Sequence, residues 1–255
     1  MRPLIASCKI FLVVLYTFIT YTIYMAGYVL VKLFRISSEP WRNLFMRTWS
    51  FGMSKILNLH IKTVGTPPKA PFFLVSNHLS YVDIVPLFLN LKCTFVAKKE
   101  VRSWPVLGFM VNSVGVIFID RTRKRDITRV NTILSNSLNK HQGMIVFPEG
   151  TTSAGTRILP FRASLLQFPA SMNIPVHYCS IRYETNQKKR DEHAEKSVCF
   201  YGAREPIHLH LFKLASNKRI DCTIQFGDKP VKNNDRKELT DELHEKIEEI
   251  FVPMD

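Results

Sequence analysis

Several things are missing from this chain of 255 residues, and each absence excludes a class of protein. The five cysteines, Cys8, Cys93, Cys179, Cys199 and Cys222, are odd in number and show no Cys-x-x-Cys spacing. Neither a disulfide framework nor a thiolate zinc site is therefore indicated. Most lie in apolar runs, which reads as small buried hydrophobes in a reducing compartment. There is no internal repeat, low-complexity tract or second-domain linker, so the length fits one α/β domain with a proper core plus a membrane segment. Acid is also scarce: 21 Asp and Glu stand against 35 Lys and Arg, a formal charge of +14. Such a surplus raises nucleic acid as a partner. Aromatic residues are not interleaved with the charge, and the N-terminus is apolar, which argues against nucleic acid.

That apolar N-terminus is the first thing present. Ile10 to Val31 carries no charged residue, and about 20 such residues cross a bilayer's hydrocarbon. It is longer than the apolar region of a signal peptide, and no small-x-small cleavage site follows. Basic residues flank it, Arg2 and Lys9 before and Lys32, Arg35, Arg42 and Arg47 after. The heavier side is C-terminal, which puts the rest of the chain on the cytosolic face. Spanning and lying in one leaflet both remain open, and Tyr16, Tyr21, Tyr24 and Tyr28 suit an interface. Residues 1–37 are read as the anchor and 38–255 as the domain. Basic residues beside a membrane also suit anionic lipid headgroups.

The stretch with chemistry in it follows the apolar run Phe72-Phe73-Leu74-Val75: Asn77-His78-Leu79-Ser80-Tyr81-Val82-Asp83. A histidine at the end of a buried strand is suited to take a proton from a hydroxyl and return it. An aspartate accepting its Nδ1 proton would fix the tautomer and leave Nε2 as the base. Five residues turn an ideal helix by about 500°, roughly 140° out of line, so the pair meets only if His78 precedes the first turn and Asp83 lies within it. Ser80 is the candidate N-cap. Spacing alone favours an unlinked loop histidine and a helix-start carboxylate, because His-x4-Asp is a short pattern with many accidental matches.

Asn77-His78-x4-Asp83 resembles the first signature of the glycerolipid acyltransferase family, which includes the 1-acylglycerol-3-phosphate acyltransferases. Gly115 to Arg121, then Phe147-Pro148-Glu149-Gly150-Thr151-Thr152-Ser153, and more weakly Ile174-Pro175-Val176, resemble its later blocks in the right order. The resemblance covers about residues 50 to 185. It implies a single mixed-sheet α/β domain flanked by helices, with motifs within 72–185 and an N-terminal membrane helix. It also implies a fatty acyl donor, acyl-CoA or acyl carrier protein, a lysolipid acceptor, and no metal or redox cofactor. His78 and Asp83 become the catalytic pair. Asn77, Arg121, Glu149, Gly150, Thr151, Thr152, Ser153 and Arg157 become the substrate-binding set. One departure stands out: the third block often carries an arginine after Gly-Thr, and this chain has Thr152, with Arg157 the candidate replacement. The run Glu149 to Phe161 also resembles members that acylate lyso-ornithine lipid. The fourth block lacks its usual second proline.

Elsewhere the periodicity predicts a helical region over 38–60, strands at Cys93 to Ala97, Gly115 to Ile119, Met144 to Phe147 and Ile174 to Tyr183, and helices over Trp104 to Met110, Ile127 to Lys140, Phe161 to Ala170 and Asp235 to Phe251. His208 and His210 alternate as in a strand. A non-catalytic module binding anionic lipid is the alternative of a different class; it would not need His78 and Asp83 together.

Overall fold

The computed structural model describes residues 2–119, 127–185, 193–202 and 205–254. The strands are β1 (Leu59–Val64), β2 (Phe73–Ser76), β3 (Cys93–Lys98), β4 (Ile117–Ile119), β5 (Gly143–Val146), β6 (Val176–Thr185) and β7 (Ile220–Phe226). They form one mixed sheet in the order β1-β7-β6-β2-β5-β3-β4, parallel throughout except where β6 meets β7. Helices α1 (Arg2–Leu33), α2 (Glu39–Leu57), α3 (Ile84–Asn90), α4 (Leu107–Ser113), α5 (Ile127–Ser137), α6 (Gln167–Ser171), α7 (Ala194–Ser197), α8 (Ile207–Ser216) and α9 (Arg236–Ile250) complete the described elements.

Central strands with both faces covered read as unbroken apolar runs. In β2, Leu74 packs on one side with Met46, Met53 and Leu57 of α2 and Leu87 of α3. Phe73 and Val75 pack on the other with Phe168 of α6 and Leu239, Leu243 and Ile247 of α9. All three strand residues are fully buried, each contributing about 1.5–3 kcal/mol by leaving water. The C-terminal helix α9 is capped as its sequence predicts, Asp235 accepting from the amides of Lys237 (2.7 Å) and Glu238 (3.1 Å).

Helix α1 is about 48 Å long at the usual rise per residue. One stripe of it lies against the domain along its whole length: Lys9 Nζ donates to Asn217 O (2.7 Å), Tyr16 Oη to Thr48 O (2.7 Å) and Tyr24 Oη to Ser113 O (2.8 Å). Trp49 and Trp41 of α2 return bonds to Thr17 Oγ1 (3.1 Å) and Tyr24 O (3.0 Å). Of the four tyrosines suited to an interface, Tyr16, Tyr21 and Tyr24 turn inward, Tyr21 sharing a hydrogen bond with Ser113 Oγ (2.8 Å), and Tyr28 packs beside Tyr24 with ring centroids 5.8 Å apart. Phe11, Phe18, Ile23, Val29 and Leu33 remain exposed on the outside.

Some boundaries differ from expectation. The expected Trp104–Met110 helix begins only at Leu107, after a 3-10 turn over Lys99–Ser103. The expected Phe161–Ala170 helix is a 3-10 turn followed by the short α6. His208 and His210 sit on helix α8, opened by Pro206 at its N-cap, and not on a strand.

Candidate active site

The site is built where β2 ends and β6 runs on. Pairing of β2 with β6 stops at Ser76 opposite Cys179, while β6 continues to Thr185. Asn77 turns onto this overhang. Its Nδ2 donates to Ile181 O (2.9 Å) and its Oδ1 accepts from Ile181 N (2.7 Å). The Asn77 side chain therefore continues the ladder in place of backbone, fully buried. Both ends of its amide are occupied, although it had been expected to hold substrate.

The chain next runs extended through Ser80 and closes a 3-10 turn, Tyr81–Asp83, before α3. This tight turn supplies the geometry that an ideal helix would not. Asp83 reaches back so that its Oδ2 meets His78 Nδ1 at 2.7 Å. The same oxygen accepts from the amides of Leu79 (2.8 Å) and Ser80 (3.1 Å), and Oδ1 accepts from the Tyr183 hydroxyl (3.0 Å). Surrounded by donors, the buried carboxylate is an acceptor for His78 Nδ1–H too, which leaves the lone pair on Nε2. His78 keeps 21% of its side chain exposed, and its Nε2 makes no hydrogen bond among the described residues. The expected pair is thus brought together.

Phe147, just past β5, is stacked on the imidazole with ring centroids 3.9 Å apart and planes 10° from parallel. Phe95 stacks on Phe147 in turn, at 5.8 Å. Phe147 opens the third block and was not singled out in the sequence; its apolar character disguised it as strand.

The turn after Phe147 clasps the histidine segment from the other side. Glu149 Oε1 accepts from the His78 amide (3.0 Å), and Ser153 N donates to His78 O (2.8 Å). Glu149 is only 3% exposed. Burial pushes its carboxyl up to about 8, opposed by hydrogen bonds from the His78 and Leu159 amides. Glu149 therefore grips the backbone of the His78 segment. Gly150 takes a positive φ of 70° and bonds Phe147 O, while Gly155 (φ 77°) passes so close to Met254 Sδ that a Cβ there would lie 2.6 Å from it. Thr151 and Arg157 are exposed, Thr152 is half-buried and Ser153 buried. Asp120 and Arg121 lie outside the described residues.

Two contacts at this site could not be anticipated from local sequence. Tyr183 is one. The other is Tyr81, inside the turn, whose hydroxyl meets His210 Nδ1 at 2.9 Å while His210 Nε2 meets Cys199 O at 3.0 Å. A carbonyl only accepts, so Nε2 carries the proton and Nδ1 accepts from Tyr81. Burial pushes the His210 imidazole below its usual value, consistent with this neutral tautomer. The four inner cysteines are buried and unpaired, and burial pushes the Cys179 thiol up to about 12. Among the described residues no group of three or more His, Cys, Asp or Glu could hold a metal.

The stretch that carries the His78–Asp83 pair and the Glu-Gly-Thr-Thr-Ser turn is matched in known proteins as a whole. Residues 58–182 match the family model described as Acyltransferase. A 1-acyl-sn-glycerol-3-phosphate acyltransferase of Neisseria gonorrhoeae is 32% identical over 195 residues, 74% of each chain. The chain belongs to the acyltransferase family. A lyso-ornithine lipid O-acyltransferase of Pseudomonas aeruginosa is 28% identical over 209 residues, covering 82% of this chain and 78% of that one. The fold matches the crystal structure of PlsC, the 1-acyl-sn-glycerophosphate acyltransferase of Thermotoga maritima, with a TM-score of 0.63 at 20% identity over the whole of both chains. The mixed α/β architecture expected of this acyltransferase is therefore the observed one.

Proposed function

We propose that this acyltransferase moves a fatty acyl group from a thioester donor, acyl-CoA or acyl carrier protein, to the free hydroxyl of a lysolipid. The observation that carries the reading is the 2.7 Å contact between His78 Nδ1 and Asp83 Oδ2, which leaves Nε2 as general base. Nε2 takes the hydroxyl proton as the oxygen attacks the thioester carbon. The tetrahedral oxyanion collapses, the C–S bond breaks, and the thiolate departs, free to take the proton back from the imidazolium. Asp83 stabilises that imidazolium. No acyl-enzyme is required.

Within the third block, Gly150 and Ser153 spend their amides on Phe147 and His78, leaving the amides of Thr151 and Thr152 as candidate oxyanion donors. Arg121, Thr151, Thr152 and Arg157 are the candidates for the acceptor's head. Asn77 and Glu149 act through the backbone they hold. The first acceptor is 1-acyl-sn-glycerol-3-phosphate, giving phosphatidic acid, in line with the substrate named for the Neisseria relative. A lyso-ornithine lipid is the second, favoured by Thr152 and by the Pseudomonas relative.

The reading places the enzyme on the membrane with its domain on the cytosolic face. α1 is long and apolar enough to cross a bilayer, but α2 runs beside it with Glu39, Arg47 and Lys55. Carrying those charges through hydrocarbon would be costly. An α1 lying along one leaflet, its apolar outer face in lipid, avoids that cost.

The test is acyl transfer by purified protein in detergent, with acyl-CoA and acyl carrier protein offered separately to lysophosphatidic acid, other lysophospholipids and lyso-ornithine lipid. Turnover on one acceptor, absent in His78→Ala, supports the reading. Lipid binding without turnover on any acceptor would instead favour a binding module.

A further inference from the structure

We infer that Tyr183 is a positioning residue for the reaction, acting through Asp83 as the far end of a Tyr183–Asp83–His78 chain. The inference rests on the proposed role of His78. Tyr183 lies on β6 beyond the point where β2 stops, on the face that carries Cys179 and Ile181. The side chain is 1% exposed. Its hydroxyl hydrogen donates to Asp83 Oδ1 at 3.0 Å, while Oδ2 is shared among His78 Nδ1 and the amides of Leu79 and Ser80.

The two carboxylate oxygens thus have separate duties. Oδ2 is fixed by donors from its own turn, one of which is the imidazole. Among the described residues Oδ1 is fixed only by a residue 100 positions away in sequence. A carboxylate held at one oxygen can swing about that contact; held at both, it cannot. The Tyr183 hydroxyl therefore locks the plane of Asp83, and with it the direction in which Nε2 points. It also draws negative charge away from Oδ2, tempering how strongly Asp83 favours the imidazolium. β6 is anchored nearby by Asn77, which clasps Ile181 two residues earlier, so the hydroxyl is delivered by a rigid strand.

Burial pushes the Tyr183 phenol well above its usual value. The hydroxyl therefore remains a donor across the working range, and it is not itself a proton carrier.

The test is Tyr183→Phe, which keeps the ring and removes only the hydroxyl, assayed in detergent beside the wild type and His78→Ala. The KM of both substrates should change little, and the unfolding temperature should fall by several degrees as a buried carboxylate oxygen loses its donor. Loss of a hydrogen bond to a charged group should lower kcat about tenfold, and the acid limb of the kcat–pH profile should move to higher pH, because the freed carboxylate favours the imidazolium more. A packing role would leave that limb where it is. An unchanged kcat and acid limb in Tyr183→Phe, with His78→Ala inactive, would overturn this inference alone. Turnover surviving in His78→Ala would overturn the reading of His78 and this inference with it.

Discussion

The His78 turn and the outer helix solve opposite problems. Around His78 the chain buries polar groups and ties them to one another: Asn77 against Ile181, Asp83 against four donors, and Glu149 Oε1 against the His78 amide, with Glu149 Oε2 buried without a hydrogen-bond partner among the described residues. Along α1 it leaves apolar side chains in the open, with Phe11 65% and Phe18 70% exposed. The turn is held by bonds within the protein, whereas on the proposed reading the outside of α1 is covered by lipid. Chemistry here depends on internal bonds and location on external ones. Variants should therefore separate the two.

The largest separation is expected from His78→Ala, which should lower turnover about a thousandfold or more while vesicle binding stays at the wild-type level, as measured by co-flotation. In the opposite sense, Phe11→Glu with Phe18→Glu should weaken vesicle binding by roughly a hundredfold or more, since each buried Phe is worth about 2 kcal/mol. Turnover on a detergent-dispersed substrate should stay within a few-fold, and an equal fall in both measurements would merge the two regions. Asn77→Ala should cost about 3 kcal/mol by orphaning the Ile181 backbone, read as a melting temperature lower by roughly 10 °C.

Glu149→Gln tests the clasp by pH. Glu149 titrates near 8 in the folded chain, against 4.5 ordinarily. Between those values the folded state holds a proton that the unfolded state has released, so this group's contribution falls as pH rises through that window. The wild type should lose melting temperature from pH 5 to 8, and Glu149→Gln should lose less. The smallest effect is expected from Tyr81→Phe, about 1 kcal/mol for one hydrogen bond to His210, with little change in kcat.

The parts legible in the sequence were those whose signal is local. The unbroken run of β2, the His-x4-Asp spacing, the cap at Asp235 and the long apolar α1 all announce themselves within a few residues. β7 alternates too, burying Ile220, Cys222, Ile224 and Phe226, a local period of two that is readable in the sequence. Helix α8 misled for a physical reason. It buries His210, Leu214 and Ala215 but also exposes Leu209 and Phe212, so apolar residues on two faces blur the helical period into an apparent alternation. At the site the pair was readable and its supports were not. Asn77 and Glu149 looked like ligands because they are polar and beside the motif; only the third dimension shows each bound to backbone. Tyr183 and His210 reach the turn from 100 and 129 residues away in sequence, and no spacing rule connects them to it.

The central claim is that His78 and Asp83 act as a unit. It is tested most directly by measuring kcat for His78→Ala, Asp83→Asn and the double variant on the acceptor the wild type uses. The account predicts that each single variant is severely impaired and that the double variant is no slower than His78→Ala alone. A kcat within a few-fold of wild type in either single variant would contradict it.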